Sequence, residues 1–162
     1  MKPFSTDSKI GKKLLSWVQC YDHEKYWRRR HYVVDPNIGN TFLKLYYLFW
    51  IKKVDSYHNC SFGTNINMGE NIAEPPRLPH GPNGIIVASN SVLGKNCTIY
   101  QQVTIGGGII GDNVLIGSKA TILQRADVGN NCRIGANCVV FEKIPDNATV
   151  VLPKPRIIIK HP

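Results

Sequence analysis

The chain has 162 residues, enough for one domain with a small appendage and for an apolar core that needs no disulfide staples. Twenty lysines and arginines against eleven acids give a net charge of +9, which favours polyanionic partners, although no nucleic-acid-binding motif is present. Five cysteines, an odd count without a CxxC pair, argue against a disulfide framework and against a zinc site.

Residues 1–7 are polar and no apolar stretch follows a charged start, so no export signal is expected. The apolar run at residues 46–51 is far too short to span a bilayer. A cytoplasmic protein is the expectation.

From residue 8 to 57, Leu14, Leu15, Trp17, Val18 and Tyr21 recur at helical spacing. Phe42, Leu45, Tyr46, Phe49 and Trp50 do the same, and Pro36, Asn37 and Gly39 interrupt the pattern as a turn. Two helices beside the first turn of whatever follows are predicted, within a helical segment over residues 1–59. Lys12, Lys13, Lys25, Arg28, Arg29, Arg30, Lys52 and Lys53 lie in this segment. Its aromatic run suits core or subunit packing, and contact with a membrane surface is the alternative use.

Beyond residue 60 the period changes to six. Val87, Leu93, Ile99 and Ile105 are followed, after one step of five, by Ile110, Ile116, Ile122, Val128, Ile134 and Val140. Roughly a quarter of the chain is Leu, Ile or Val, so ten aliphatic positions in a row have a chance on the order of one in a million, and the repeat is real. Ile66, Ile72 and Leu78 carry the same spacing upstream. Glycine follows the aliphatic residue at Gly94, Gly106, Gly111, Gly117, Gly129 and Gly135, and asparagine sits three after it at Asn90, Asn96, Asn113, Asn131 and Asn137. Both types tolerate left-handed backbone angles, so a corner once per hexad is predicted. Small or β-branched residues, including Cys97, Cys132 and Cys138, occupy a second interior slot. Six residues fit one short strand and one corner, and three such units close a triangular coil of about 18 residues. The expected coils span approximately residues 66–86, 87–104, 105–121 and 122–139, with the last turn unwinding through Pro145. So short a solenoid gains core by association, and an oligomer is expected.

Of five histidines only His80 falls within the coil region, in a Gly- and Pro-rich stretch that breaks the hexad spacing. A bulge beside one titratable group is where a site belongs.

These residues carry a resemblance. The stretch 78–81, Leu78-Pro79-His80-Gly81, runs into Gly84-Ile85-Ile86. It is followed by Tyr100-Gln101-Gln102-Val103-Thr104-Ile105-Gly106-Gly107, by Ile134-Gly135-Ala136-Asn137-Cys138-Val139-Val140, and by Val150-Val151 leading to Pro155-Arg156-Ile157. Together they resemble the hexapeptide-repeat acyltransferases, the serine acetyltransferase branch most closely. The resemblance implies a mainly β chain with a left-handed parallel β-helix over residues 60–162. It implies His80 as general base for acetyl transfer from acetyl-CoA, CoA contacts at Gly107, Ser118, Ala136 and Arg156, and a homotrimer that binds CoA between subunits. Backbone amides around Gly106 and Gly107 are the expected oxyanion donors. Lys143, Lys154 and Arg156 are placed to meet the CoA phosphates. Spacing supports the cofactor groove independently, because Ser118 and Ala136 stand one coil apart.

Three departures bear on the acceptor. Serine acetyltransferases carry an acidic residue where this chain has Pro79. Their loop and second histidine after the paired glycines are missing, because Gly106-Gly107-Gly108-Ile109-Ile110 closes directly. Their helical N-terminal domain is also longer. The acceptor expected is therefore a sugar hydroxyl, as in relatives that O-acetylate surface polysaccharides, or serine. Glu74, six residues before His80, is a possible partner for the imidazole. An amino-sugar N-acetyltransferase on the same scaffold, and a non-catalytic solenoid that binds a partner, are the other readings. A zinc-dependent β-helical enzyme needs several coil histidines and is set aside; no metal is expected.

Overall fold

The computed structural model describes residues 8–154 and 158. Helix α1 (Lys9–Val18) starts where Ser8 Oγ accepts the N–H of Gly11 at 3.0 Å. Helix α2 (His23–Val34) is capped by Asp22, which accepts the N–H of Lys25 at 3.0 Å. Helix α3 (Thr41–His58) begins at Asn40 and ends on Asn59, whose φ of 49° is left-handed. Three helices thus stand where two were expected. The additional one is α2, whose inner face carries Tyr26, Trp27, Val33 and Val34 but also Arg30, so a charge interrupts the apolar stripe. Among the described residues no helix is long and apolar enough to cross a membrane.

Polar side chains fasten the helices to the first coil. Arg30, 1% exposed, donates to Glu70 Oε1, to Asn71 Oδ1 at 2.6 Å and to the carbonyl of Phe62 at 3.4 Å. Lys44 donates to the carbonyl of Asp35 and to Asn67 Oδ1, the latter at 2.6 Å.

The coils form a left-handed triangular solenoid of parallel strands. One face stacks β1 (Ile86–Val87), β4 (Thr104–Ile105), β7 (Thr121–Ile122) and β9 (Val139–Val140). The second pairs β2 (Ser91–Leu93) with β5 (Gly108–Ile110), continued by bridges at Val128 and Ile144. The third stacks β3 (Thr98–Ile99), β6 (Leu115–Ile116), β8 (Arg133–Ile134) and β10 (Thr149–Val150). The ten aliphatic positions from Val87 to Val140 point inward and are at most 2% exposed. Each stabilises the fold by about 1.5–3 kcal/mol relative to an exposed side chain.

The coil limits differ from the sequence reading at both ends. The first coil begins with Ser61, bridged to Ile86, so Phe62 and not Ile66 lies beneath Val87. Residues 63–71 form an oversized corner because Asn67 and Gly69 give their N–H groups to Val33 and Val34 carbonyls. The last coil does not unwind at Pro145: Ile144 bridges Val128, and β10 completes the third face.

Glycine and asparagine also have separate tasks. Left-handed φ falls on Asn96, Asn113, Asn131 and Asn137, and equally on Gln102, Lys119 and Arg125. Gly94, Gly106, Gly111, Gly117, Gly129 and Gly135 lie outside the left-handed region. They are required by close approach: a Cβ on Gly117 would stand 2.6 Å from Ala136 N, in the next coil. The asparagine amides form a ladder, Asn96 to Asn113 at 2.7 Å, then Asn113 to Asn131 and Asn131 to Asn147 at 3.1 Å each.

Candidate active site

The chain between Leu78 and Ile85 is a double turn. Gly81 donates to the Leu78 carbonyl and Ile85 to that of Pro82, each at 3.0 Å. Gly81 and Gly84 have φ of 68° and 66°, angles that explain why both are glycine. His80 is thereby lifted out of the coil and exposed, its ring 5.8 Å from that of Tyr100. Among the described residues no side chain hydrogen-bonds its ring nitrogens. Glu74 does not serve it, since that carboxylate accepts the N–H of Asn96 at 3.3 Å. The turn itself is pinned by Asn83, whose Nδ2 donates to the His80 carbonyl at 2.8 Å.

The register of the third face decides what accompanies His80. Arg77, Thr98, Leu115 and Arg133 pair in sequence across the coils. Three residues beyond each lie His80, Gln101, Ser118 and Ala136, which therefore share one corner of the solenoid. Backbone bonds run up that corner from Lys119 to Gln101 at 3.1 Å and from Asn137 to Ser118 at 2.9 Å. Gln101 Oε1 is buried there without a hydrogen-bond partner.

Gly107 is not in this column. It sits at the neighbouring corner, beyond β4, buried between Asn90 and Gln124, whose side chains a Cβ would meet at 3.1 Å. The Gly106 amide is already bonded to the Ile122 carbonyl at 2.8 Å, so of the paired glycines only Gly107 has an amide without a partner among the described residues. Arg156 lies outside the described residues; Lys143 and Lys154 are exposed.

Comparisons with known proteins match the repeat coils. Residues 107–142 match the family model for bacterial transferase hexapeptide (six repeats). A serine acetyltransferase of Staphylococcus aureus is 38% identical over 98 residues, covering 55% of this chain and 46% of that relative. The repeat region is serine acetyltransferase-like. The solved serine acetyltransferase isoform 3 of Entamoeba histolytica, in complex with cysteine, shares 29% identity at a TM-score of 0.58, over 72% of this chain and 44% of its own. A serine acetyltransferase in complex with CoA gives 26% identity and a TM-score of 0.60, over 78% and 50%. The chain spans less than half the length of the curated relatives it matches.

One feature of the serine acetyltransferase-like coils escaped the sequence reading. A cavity of about 720 Å³ opens between the His80 turn and the helices, with Arg77 and His80 on one side and Ser16, Asp22, His23 and Glu24 on the other. Burial holds His23 below the usual histidine range, opposed by the nearby Asp22 and Glu24. Asp22, His23 and Glu24 were given no role in the sequence analysis, and no repeat or motif marks them.

Proposed function

We propose that this protein is an acetyl-CoA-dependent O-acetyltransferase in which His80 is the general base. His80 takes the proton of an acceptor hydroxyl as that oxygen attacks the thioester carbonyl. The intermediate collapses with loss of the CoA thiolate, which recovers the proton from the imidazolium. The observation that carries the reading is the shared corner of His80, Gln101, Ser118 and Ala136: the base stands at one end of a track, two of whose positions were expected from resemblance to hold the pantetheine arm. Gly107 supplies an uncommitted amide toward the same first face, and Lys143, Lys154 and Arg156 are assigned to the phosphates.

A homotrimer completes the groove. Leu123, Val139 and Phe141 expose apolar surface on the first face, where a neighbouring copy would bury it and wall the Ser118 corner. The relatives' names give serine as acceptor. Pro79 in place of an acidic residue, and direct closure after Gly107, favour a sugar hydroxyl, which Asp22, Glu24 and Arg77 in the cavity lining could bond.

The helical segment supports a second assignment, contact with an anionic membrane surface on the cytoplasmic side. Ile10, Trp17, Phe42 and Phe49 are 61–82% exposed, and a cavity of about 880 Å³ beside Trp17 and Phe49 is lined by Lys25, Arg29, Lys52 and Lys53. A second copy on this face would oppose like charges, whereas anionic headgroups complement them. Co-sedimentation with phosphatidylglycerol vesicles, lost in Trp17→Ser/Phe49→Ser and absent with phosphatidylcholine, is the expected result.

Activity is tested by thiol release from acetyl-CoA with serine and a panel of sugars offered separately. His80→Ala is expected to lower the rate by about 10²–10⁴-fold. Neither thiol release nor CoA binding would leave a scaffold solenoid, and transfer to an amino group would make it an N-acetyltransferase.

A further inference from the structure

Among the described residues, one side chain from outside the coil holds the turn that presents His80, that of His58 at the end of α3. Its Nδ1 lies 2.8 Å from Asn83 Oδ1 and its Nε2 lies 2.8 Å from the carbonyl oxygen of Gln19, beyond the end of α1. The His58 carbonyl also accepts the N–H of Gly84 at 2.9 Å. Four segments therefore meet at this residue: α3, the end of α1, the His80 turn and, through Tyr21, the entry to α2.

The hydrogen atoms follow from the partners. Asn83 Nδ2 faces the His80 carbonyl, which can only accept, so the amide orientation is settled and Oδ1 is the atom turned to His58. An amide oxygen only accepts, so Nδ1 of His58 must carry a hydrogen. The Gln19 carbonyl only accepts as well, so Nε2 must carry one too. A neutral imidazole has a single N–H, and with it one contact would set a lone pair against an oxygen. Both bonds form together only in the imidazolium.

We propose that His58 works as an imidazolium clamp, a positioning residue that locks the His80 turn against the end of α1 and so fixes the base relative to the acceptor cavity. This rests on the assignment of His80 as base. The groups facing the ring are Tyr21 (5.9 Å between centroids) from the α1–α2 link, Tyr57 (5.1 Å) from its own helix, and Asn83 from the turn. Among the described residues none of the carboxylates pairs with it, so the charge is held by two neutral acceptors. The clamp needs His58 protonated on both nitrogens, whereas His80 must be neutral to act as a base.

The test uses the full chain labelled with 15N-histidine, the His58 signals being identified by their absence from His58→Gln. Both ring nitrogens of His58 are expected to be protonated at the pH of best activity. His58→Phe, which has no donors, should lower kcat between about 10- and 100-fold through misplacement of the base while leaving KM for acetyl-CoA unchanged. His58→Arg, which keeps a charged donor, should keep more of the rate than His58→Phe. A His58 ring that is singly protonated wherever the enzyme works overturns the proposal, as does an unchanged kcat in a folded His58→Phe protein. If no acceptor supports transfer, the ring spectra still decide the protonation of His58, so failure of the clamp and failure of the acetyltransferase reading remain distinct. If His58→Phe does not fold, His58→Gln, with one donor end, takes its place at an intermediate rate.

Discussion

The coils and the helices achieve burial by different means. Inside the coils the column from Val87 to Val140 is aliphatic at every rung, and the second interior slot holds only Ser, Cys, Val and Ala. Inside the helical segment, burial of similar depth holds Arg30, Lys44 and Asp55. Tyr26 Oη donates to Asp55 Oδ1 at 2.7 Å, Cys60 Sγ lies 3.7 Å from the same oxygen, and burial beside that carboxylate pushes the Cys60 thiol up to about 12. The coils gain their register from repetition, so any rung resembles the next. The helices have no repeat, and directional polar bonds fix where they dock.

The comparison can be broken first in the coils. Ile116, with 0% exposure between two rungs, is expected to cost about 2–5 kcal/mol as Ile116→Ala in urea unfolding, with the transition still single. A cost below about 1 kcal/mol would mean that the column collapses easily and that repetition contributes less than its burial implies. In the helices, Arg30→Met removes the donor shared by Glu70, Asn71 and Phe62. Glu70 is 34% exposed, so the lower end of the cost for a broken buried pair applies, about 3 kcal/mol. If docking is polar, this variant should also raise amide exchange in α2 before any change appears in β6 to β9.

Smaller effects sharpen the contrast. Asn113→Ala places a Cβ-bearing residue without a side-chain partner at φ 58° and breaks two ladder bonds, for about 1–2 kcal/mol. Asn113→Gly should recover most of that in the same thermal melts. The smallest effect concerns Asp55, whose carboxyl is raised above its ordinary value chiefly by burial, with the Tyr26, Lys52 and Cys60 contacts opposing. A raised acid binds its proton more tightly folded than unfolded. Stability is therefore fullest below the ordinary carboxylate range and declines as pH rises toward the folded value. Asp55→Asn keeps an acceptor for Tyr26 and should flatten that decline, read as Tm against pH.

Much of the fold was legible because the hexad spacing is a local property repeated many times. The ten inward residues and the small-residue slot, with Cys97, Cys132 and Cys138 in it, all fell where the period put them. The errors came where one residue type has two physical uses. Glycine reads as a turn residue, yet along the coils it is demanded by backbone approaching from the next rung, which a single-chain pattern does not display. Helix α2 was missed because Arg30 occupies a core position, and a buried charge looks like a solvated one until Glu70 and Asn71 are seen across from it.

The candidate site divides the same way. His80 stood out as the coil histidine beside a broken period, and Ser118 and Ala136 are one repeat apart, so the sequence by itself singled out the candidate base and two points of the corner it shares. It also determined the triangular coil, since a period of six with an aliphatic residue at each step leaves few other ways to hide that residue. Only the tertiary structure decided that Gly107 turns to a different corner, that the helices wall a cavity beside His80, and that His58 grips its turn. Those contacts join residues 25 and 39 positions apart through single hydrogen bonds. No periodicity relates such partners, and the chain must fold before a donor and an acceptor can choose each other.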